Sequence, residues 1–273
     1  MYRTHLLVIG LIAVTAALAF PRSWAKETRD TVHHTFSGDK TLEVRNLSGA
    51  IKVLGDSEST IRVDAELIIG AQDERLLERA RQDVKLDLSD RAGVATVAVD
   101  YPSGRHGFFD TSDYEVTYNF IIHLPRETAL HLHTANGAIE ASQISGAFDV
   151  NGVNGHVKLT DMAGAGSVST VNGPAEVSFR EAPKTACRFS SVNGALDITF
   201  PASLAADFTY RTVHGGVFTD FNTSHSETSG RVRRRSGEGF SYMGGGKARV
   251  GSGGPELSFR TVNGDIRIHK QTN

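Results

Sequence analysis

A four-residue phrase recurs through the C-terminal half of this chain, and its spacing constrains the fold more than any other feature. The copies read Thr134-Ala135-Asn136-Gly137, Gly152-Val153-Asn154-Gly155, Thr170-Val171-Asn172-Gly173, Ser191-Val192-Asn193-Gly194, Thr212-Val213-His214-Gly215 and Thr261-Val262-Asn263-Gly264. Their final glycines are 18, 18, 21, 21 and 49 residues apart. A fixed repeat of about 20 residues is typical of a stacked, quasi-one-dimensional architecture rather than of a fold built around a central pocket.

The residues around each copy alternate between apolar and polar. After the corner at Asn154-Gly155, for example, Val157 and Leu159 flank Lys158, and the other copies follow the same pattern. A period of two is typical of a strand with one buried face. Each repeat is therefore predicted to be a strand, a corner at Asn-Gly and a second strand.

Asn-Gly suits a corner because both residues tolerate a positive φ. It is also a strong hairpin signal, so an antiparallel meander is an alternative. A meander does not require the same corner at a fixed interval, whereas stacked corners allow an Asn column that hydrogen-bonds from rung to rung. We therefore expect an all-β fold: a parallel, β-helix-like β-solenoid with about 18–21 residues per rung. In one rung, His214 replaces the Asn.

A finer glycine period of nine, from Gly137 to Gly173, is compatible with a calcium-binding β-roll. That roll needs carboxylate ligands after its glycines, but Ala138-Ile139 and Ala147-Phe148 stand there instead. The sequence therefore argues against calcium, and it suggests no other cofactor.

Residues 1–25 are predicted to be a secretory signal peptide. An apolar run from Leu6 to Phe20 follows Arg3, and Ser23-Trp24-Ala25 provides small residues for cleavage. An uncleaved anchor is the alternative, although 15 residues are fewer than the about 20 that span a membrane. We expect a protein that has no stable transmembrane anchor and is exported to the periplasm or the cell surface.

The rest is predicted to form a β-rich N-terminal part (26–125) and a regular solenoid (126–273) that carries an irregular insertion (222–256). Strands are expected at 41–44, 50–54, 60–69, 84–88, 94–101 and 114–124 because these segments are rich in Val, Ile and Thr. One helix is expected at 73–84, where Leu76, Leu77, Ala80 and Val84 form an apolar stripe.

Charge and cysteine content exclude some classes of protein. The formal net charge is −2 and no long basic stripe is present, so we expect no nucleic-acid partner. Cys187 is the only cysteine, which excludes an internal disulfide. With the rungs stacked in chain order, it occupies the inward column between Gly166 and Phe208. This place favours a small buried hydrophobe over a reactive thiol.

The chain resembles a bacterial family of exported β-strand-repeat proteins, usually described as “putative adhesins” and of unknown function. The resemblance rests on the segment from Tyr118 to Pro125, the Asn-Gly repeats up to Gly215 and the closing segment from Arg260 to Ile268. It covers roughly residues 33–270. It implies a β-solenoid fold and an accessory role in the cell envelope, and it supplies no catalytic motif.

Two groups of residues could carry chemistry. His123, His131 and His133 lie close in sequence, but no further ligand stands at a useful spacing, so we expect no metal site. Glu176 and Asp197 follow successive corners and would stack as neighbours, about 4.8 Å apart along the axis. Carboxylates at that spacing could serve a glycosidase. Alternating charges elsewhere in the column favour a charge ladder instead, so we expect no catalytic residues.

Two segments could bind a partner. Phe108 and Phe109 lie in a Gly- and Ser-bearing loop, and Arg231, Arg233, Arg234 and Arg235 form a basic run. The basic run suits anionic glycans or lipid head groups. The leading hypothesis is a non-catalytic, adhesin-like binding or scaffold module of the cell envelope, whose partner is a glycan, a lipid head group or a protein. The alternative is a polysaccharide-processing enzyme that uses the stacked carboxylates.

Overall fold

A computed structural model of the chain describes residues 24–101, 114–228, 232–234 and 240–272. These residues form 21 strands and one α-helix. The N-terminal strands are β1 (Lys26–Ser37), β2 (Thr41–Ser48), β3 (Ile51–Asp56), β4 (Thr60–Ala71), β5 (Lys85–Arg91), β6 (Val94–Asp100) and β7 (Tyr114–Pro125), with helix α1 (Glu74–Asp83) between β4 and β5. The repeat strands are β8 (Leu130–Asn136), β9 (Ile139–Ser142), β10 (Phe148–Asn154), β11 (Val157–Met162), β12 (Gly166–Asn172), β13 (Ala175–Phe179), β14 (Cys187–Asn193) and β15 (Leu196–Phe200). The last strands are β16 (Ala206–Thr219), β17 (Thr223–Thr228), β18 (Val232–Arg234), β19 (Phe240–Val250), β20 (Glu256–Asn263) and β21 (Ile266–Lys270).

Two ladders of parallel strands run through the molecule. The first ladder has the order β6–β2–β8–β10–β12–β14–β20–β16. The second has the order β7–β3–β9–β11–β13–β15–β21–β16. Within each repeat, one Asn-Gly corner connects the first ladder to the second. Because each corner Asn pairs with the Asn of the next copy, the repeats are stacked in register.

The all-β class with one helix is confirmed, but the sheet is mixed rather than uniformly parallel. At one end, β4 is antiparallel to both β1 and β7, and β5 is antiparallel to β6. At the other end, β19 is antiparallel to β16, β17 and β18. Antiparallel strands need only short connections. They can therefore cover the open edges that a parallel stack leaves at its ends.

The sequence pattern suggested that the rungs stack in chain order, but they do not. The pair β20–β21 lies between β14–β15 and β16, so Arg267 lies between Asp197 and Phe218. For the same reason Cys187 is next to Leu257 rather than to a residue of β16. The chain-order expectation was wrong because every copy carries nearly the same corner, so any copy fits beside any other.

The core fills the space between the two ladders with inward-facing aliphatic and aromatic side chains. Its C-terminal half is aromatic: Phe189 stacks on Phe259 with ring centroids 5.4 Å apart. Phe179 stacks on Phe200 at 5.0 Å. These four rings are fully buried. Such packing ties each rung to the next independently of the backbone hydrogen bonds.

Helix α1 packs on the N-terminal strands where the apolar stripe predicted it. The Asp73 carboxylate accepts a hydrogen bond of 2.8 Å from the Leu76 amide and caps the helix. Leu76, Leu77 and Ala80 are buried against the sheet. In the part of the chain that the structure describes, no helix is long and apolar enough to cross a membrane.

Strand β1 was missed by the sequence analysis. It pairs with β4 over its whole length, from Lys26 opposite Ala71 to Ser37 opposite Thr60. Its sequence gave little strand signal because most of its residues are polar or charged. Such a strand is stabilised by the neighbour's hydrogen bonds rather than by its own apolar face.

Candidate functional site

The corner asparagines form a continuous hydrogen-bonded column on the surface. The side-chain amide of Asn154 donates to Asn136 Oδ1 at 2.8 Å, and Asn172 donates to Asn154 at 2.9 Å. Asn193 donates to Asn172 at 2.9 Å, and Asn263 donates to Asn193 at 2.7 Å. Each central amide therefore donates to one neighbour and accepts from the other. His214 pairs with Asn263 and occupies the far end of this column.

The corner glycines form a second column directly beside the first. A Cβ atom on Gly155 would lie 2.1 Å from the carbonyl oxygen of Gly137, and one on Gly173 would lie 2.0 Å from that of Gly155. Both glycines have positive φ values, 143° and 152°. Hydroxyl groups support the same corners, since Thr170 Oγ1 donates to the Gly173 carbonyl at 3.0 Å. The corners are thus packed backbone to backbone, with no room for a side chain.

Replacing Asn172 with alanine is expected to lower the free energy of unfolding by about 1–2 kcal/mol. The substitution removes one amide that donates to Asn154 and accepts from Asn193. His214→Ala is the control because His214 ends the column, and its expected cost is within about 0.5 kcal/mol. Urea denaturation of both variants provides the measurement. Equal losses would show that the column adds no stability.

An exposed apolar ridge runs next to the Asn column. Val171, Val192 and Val262 are 37%, 40% and 41% exposed, and Val213 at the end is 60% exposed. They share one position of the repeated phrase, and so lie on successive rungs. The corner edge therefore presents a narrow row of methyl groups flanked by amides.

Glu176 and Asp197 are neighbours on the outer face of the second ladder, as the spacing predicted. Glu176 is exposed and Asp197 is half-buried, and each contacts a basic side chain. Lys158 Nζ lies 3.8 Å from Glu176, and His269 Nε2 lies 3.2 Å from Asp197. His269 also contacts Asp220 through Nδ1 at 3.0 Å. The two carboxylates thus belong to a row of polar contacts along the outer face of the second ladder.

Of the histidines singled out in the sequence, His123 lies in β7 of the second ladder, whereas His131 and His133 lie in β8 of the first. His123 Nδ1 contacts Asp56 at 3.3 Å, and His131 Nδ1 lies 4.0 Å from Asp149. His133 is exposed on the same face as His131. Within residues 24–101, 114–228, 232–234 and 240–272, no three His, Cys, Asp or Glu side chains are grouped closely enough to hold a metal ion.

Cys187 is buried in the core. Removal from water raises the pKa of its thiol, because burial disfavours the charged thiolate. Its Sγ lies 3.8 Å from the Thr185 carbonyl oxygen. This environment is that of a structural residue, since nucleophilic cysteines need a stabilised thiolate.

The residues proposed for partner binding lie mostly outside the described part of the chain. Phe108, Phe109, Arg231 and Arg235 all fall outside it. Arg233 and Arg234 belong to β18, whose backbone pairs with β19 at Ser241 and Phe240. Arg233 and Arg234 therefore lie at the same end of the stack as β16.

A group of arginines that the sequence analysis missed lies near that end, on the outer face of the first ladder. Arg211 of β16 pairs directly with Arg260 of β20. Arg188 of β14 pairs with Ser258 and thus lies diagonally across from Arg260. All three arginines are exposed. They are 23 and 49 residues apart in sequence, so only the register of the strands reveals them.

A cleft borders this arginine group. It has a volume of about 440 Å³ and is lined by residues that include Asp207, Thr209, Lys247, Arg249 and Glu256. The Arg249 guanidinium donates to the two oxygens of Asp207 at 2.7 and 3.2 Å. This hydrogen bond lowers the pKa of Asp207, so the carboxylate stays ionised and paired. Glu256 accepts a hydrogen bond from Thr209 Oγ1 at 3.1 Å.

No protein-family model matches the chain, and no curated protein matches it. Among solved structures, a “putative cell adhesion protein” from Clostridium sporogenes is 12% identical with a TM-score of 0.44, and the match covers 89% of this chain and 100% of that one. A “putative adhesin” from Bacteroides fragilis is 10% identical with a TM-score of 0.29, over 89% and 97%. A “putative lipid binding protein” from Parabacteroides distasonis is 12% identical with a TM-score of 0.29, over the same shares. Two of these three solved proteins are described as adhesion proteins and one as a lipid binding protein. What those descriptions say about binding applies to those proteins and not to this chain.

Proposed function

We propose that this protein is a non-catalytic, exported binding or scaffold module of the bacterial cell envelope. One observation carries the proposal: polar side chains at the corners and on the second ladder are paired along the stack. The corner amides bond from rung to rung, and Lys158 with Glu176 extends the same pattern on the second ladder. This arrangement produces a long, regular and stable surface, which suits the display of contacts to a partner.

The two parallel ladders support a β-solenoid interpretation of the scaffold. Each repeat contributes one strand to each ladder, with about 18–21 residues per rung for most copies. We assign residues 26–125 to a β-rich N-terminal part with helix α1, residues 126–273 to the regular part, and residues 222–256 to its insertion. Residues 1–25 are assigned to a signal peptide, of which 1–23 lie outside the described part of the chain.

The partner is proposed to be a glycan, a lipid head group or another protein of the envelope. A screen of the purified protein against arrays of glycans and envelope lipids, in low and high salt, tests this proposal. Binding without product supports a binding module. Binding that is lost when Arg231 and Arg233 to Arg235 become alanine assigns the contact to the basic run. Turnover of any array component would overturn the proposal.

A polysaccharide-processing enzyme is the rival function, and the pairing of Glu176 with Asp197 favours it. The neighbours of the two carboxylates weigh against it, because Glu176 already pairs with Lys158 and Asp197 already contacts the His269 imidazole. We expect Glu176→Gln to leave any glycan cleavage by this protein unchanged, as measured by the release of reducing ends. A loss of about 100-fold or more would instead identify Glu176 as a catalytic carboxylate. The Lys158→Gln variant is the control for the altered charge.

A further inference from the structure

We propose that Arg188, Arg211 and Arg260, with Lys247 at their border, form a binding site for an anionic polysaccharide. The guanidinium groups would hold its carboxylate, sulfate or phosphate groups. This inference rests on the proposed function, since it names the ligand class of an envelope-binding module. It places the site on the rigid ladder rather than in the basic run at residues 231–235.

The first argument is the pairing of like charges. Arg211 and Arg260 are direct partners on adjacent strands, which are about 4.8 Å apart. Like charges placed directly opposite each other destabilise a sheet. Among the described side chains, no carboxylate forms an ion pair with Arg188, Arg211 or Arg260. An anion bound from solution would remove this repulsion.

The second argument is the contrast with the rest of the stack. The neighbouring acids each have a cation beside them: Lys158 Nζ lies 3.8 Å from Glu176, and Asp197 pairs across the strands with Arg267. At the opposite end of the same column as Arg211 and Arg260, Arg45 lies 3.7 Å from Glu43. The fold therefore has ready ways of pairing its surface charges. The arginine group departs from this pattern of paired surface charges.

The third argument is the arrangement of hydroxyl groups. Two of the three strands present one arginine and one half-buried hydroxyl outward, two positions apart: Arg188 with Ser190, and Arg211 with Thr209. The equivalent Ser258, beside Arg260, is buried. A guanidinium group binds carboxylate and phosphate oxygens through two parallel hydrogen bonds. The hydroxyl oxygens of Ser190 and Thr209, which donate to Ser169 and Glu256, can accept hydrogen bonds from sugar hydroxyls. A charged sugar chain needs both kinds of contact.

A polysaccharide fits this face better than a lipid surface does. Membrane association of a basic surface is strengthened by apolar side chains that insert between the lipids. The large apolar side chains that are exposed in the described part of the chain are Ile121, on the second ladder, and the valines of the corner ridge. None of them lies on the arginine face. A flat, polar, cationic surface without apolar anchors suits a ligand that lies across the strands.

The acids nearby leave the site cationic. Asp207 is held by Arg249 through two hydrogen bonds, so these two charges offset each other. Glu256 remains as an acid on this face and accepts from Thr209. Glu227 of β17 is the backbone partner of Lys247. The three arginines and Lys247 outnumber Glu256 and Glu227. The cleft of about 440 Å³ continues the site past Lys247 and gives the end of a chain room to enter.

The test compares two double variants of the purified protein. Arg211→Ser with Arg260→Ser removes the paired arginines, whereas Arg45→Ser with Lys158→Ser removes two exposed, ion-paired cations elsewhere. Binding is measured by titration with polygalacturonate, dextran sulfate and uncharged dextran. Vesicles of phosphatidylglycerol and phosphatidylcholine form a separate arm. Circular dichroism and thermal melting confirm that both variants are folded.

We expect the wild type to bind a charged polysaccharide but not uncharged dextran, and to bind less tightly in high salt. The Arg211/Arg260 variant should lose about tenfold or more in affinity, and the Arg45/Lys158 variant less than about twofold. Equal binding by both variants would overturn the proposed site while leaving the proposed function intact. Binding to vesicles alone would have the same two consequences. If the wild type binds no component of any arm, the site fails, whereas the proposed function still stands with a protein as the partner. Cleavage of a polysaccharide would overturn both.

Discussion

Replacing Phe189 with alanine is expected to lower the free energy of unfolding by about 3–5 kcal/mol. Phe189 is fully buried, and its ring packs against Phe259 at 5.4 Å, Phe179 at 6.2 Å and Phe200 at 6.4 Å. The substitution leaves a cavity where two rungs share one aromatic cluster. Their rigid backbones, fixed by ladders on both sides, have little freedom to collapse into it. Urea denaturation followed by circular dichroism measures the loss.

Lys158→Ala is the matched control, expected to fall within about 0.5 kcal/mol of the wild type. Lys158 points outward from the second ladder, and its one ion pair, with Glu176 at 3.8 Å, is exposed. Exposed ion pairs contribute little because water and salt screen them. Similar losses for the two variants would refute the assignment of inward and outward faces.

Replacing Gly155 with alanine is expected to cost about 3 kcal/mol or more. Its φ of 143° is unfavourable for alanine, and the new Cβ would lie 2.1 Å from the Gly137 carbonyl oxygen. Since that atom belongs to the backbone of the neighbouring rung, the two rungs must move apart. The hydrogen bond of 2.9 Å from the Gly137 amide to the Asn154 carbonyl lies at this corner and would be strained.

Gly93→Ala separates the two causes. Gly93 also has a positive φ, 80°, but nothing lies within 4 Å of its would-be Cβ atom. Only the backbone preference is lost there, at about 1–2 kcal/mol. Thermal melting of the two variants should therefore give a clearly larger decrease for Gly155→Ala. If the decreases were equal, close packing of the corners would not be the reason for their glycines.

The local parts of this fold could be predicted from the sequence because they depend on short patterns. Strands β2 to β7 and helix α1 lie within a few residues of their predicted positions. The corner phrase identified which asparagines share a column. Period-two alternation identified which side of each strand is buried, as Val157, Lys158 and Leu159 illustrate.

The order of the rungs could not be predicted, for a physical reason. A copy of the phrase encodes a corner that fits the column, and it carries almost no information on which copy lies beside it. Thr212 and Thr261, 49 residues apart, share a hydrogen bond of 3.1 Å because their rungs are adjacent. The antiparallel strand β19 was equally hidden, because it lies within a glycine-rich stretch that the sequence analysis assigned to an irregular insertion.

The arginine group illustrates the same limit at the level of function. Arg188, Arg211 and Arg260 are isolated in the sequence, and only Arg231 to Arg235 form a visible basic run. Had β16 followed β14 in the stack, Arg211 would lie beside Ser190 instead of Arg260. The insertion of β20 thus creates the paired charges on which the proposed site depends.

This insertion also has a consequence for how the protein is made. Strand β16 is synthesised 49 residues before the strand that separates it from β14, as the Thr212–Thr261 pair shows. At about 5–20 residues per second, that interval lasts roughly 2–10 s. During it, β16 can pair with the emerging β19, but its other edge has no native neighbour. An unpaired edge is a template for wrong partners, including β14 or another molecule. The position between β14 and β16 must therefore stay unoccupied until β20 has been synthesised.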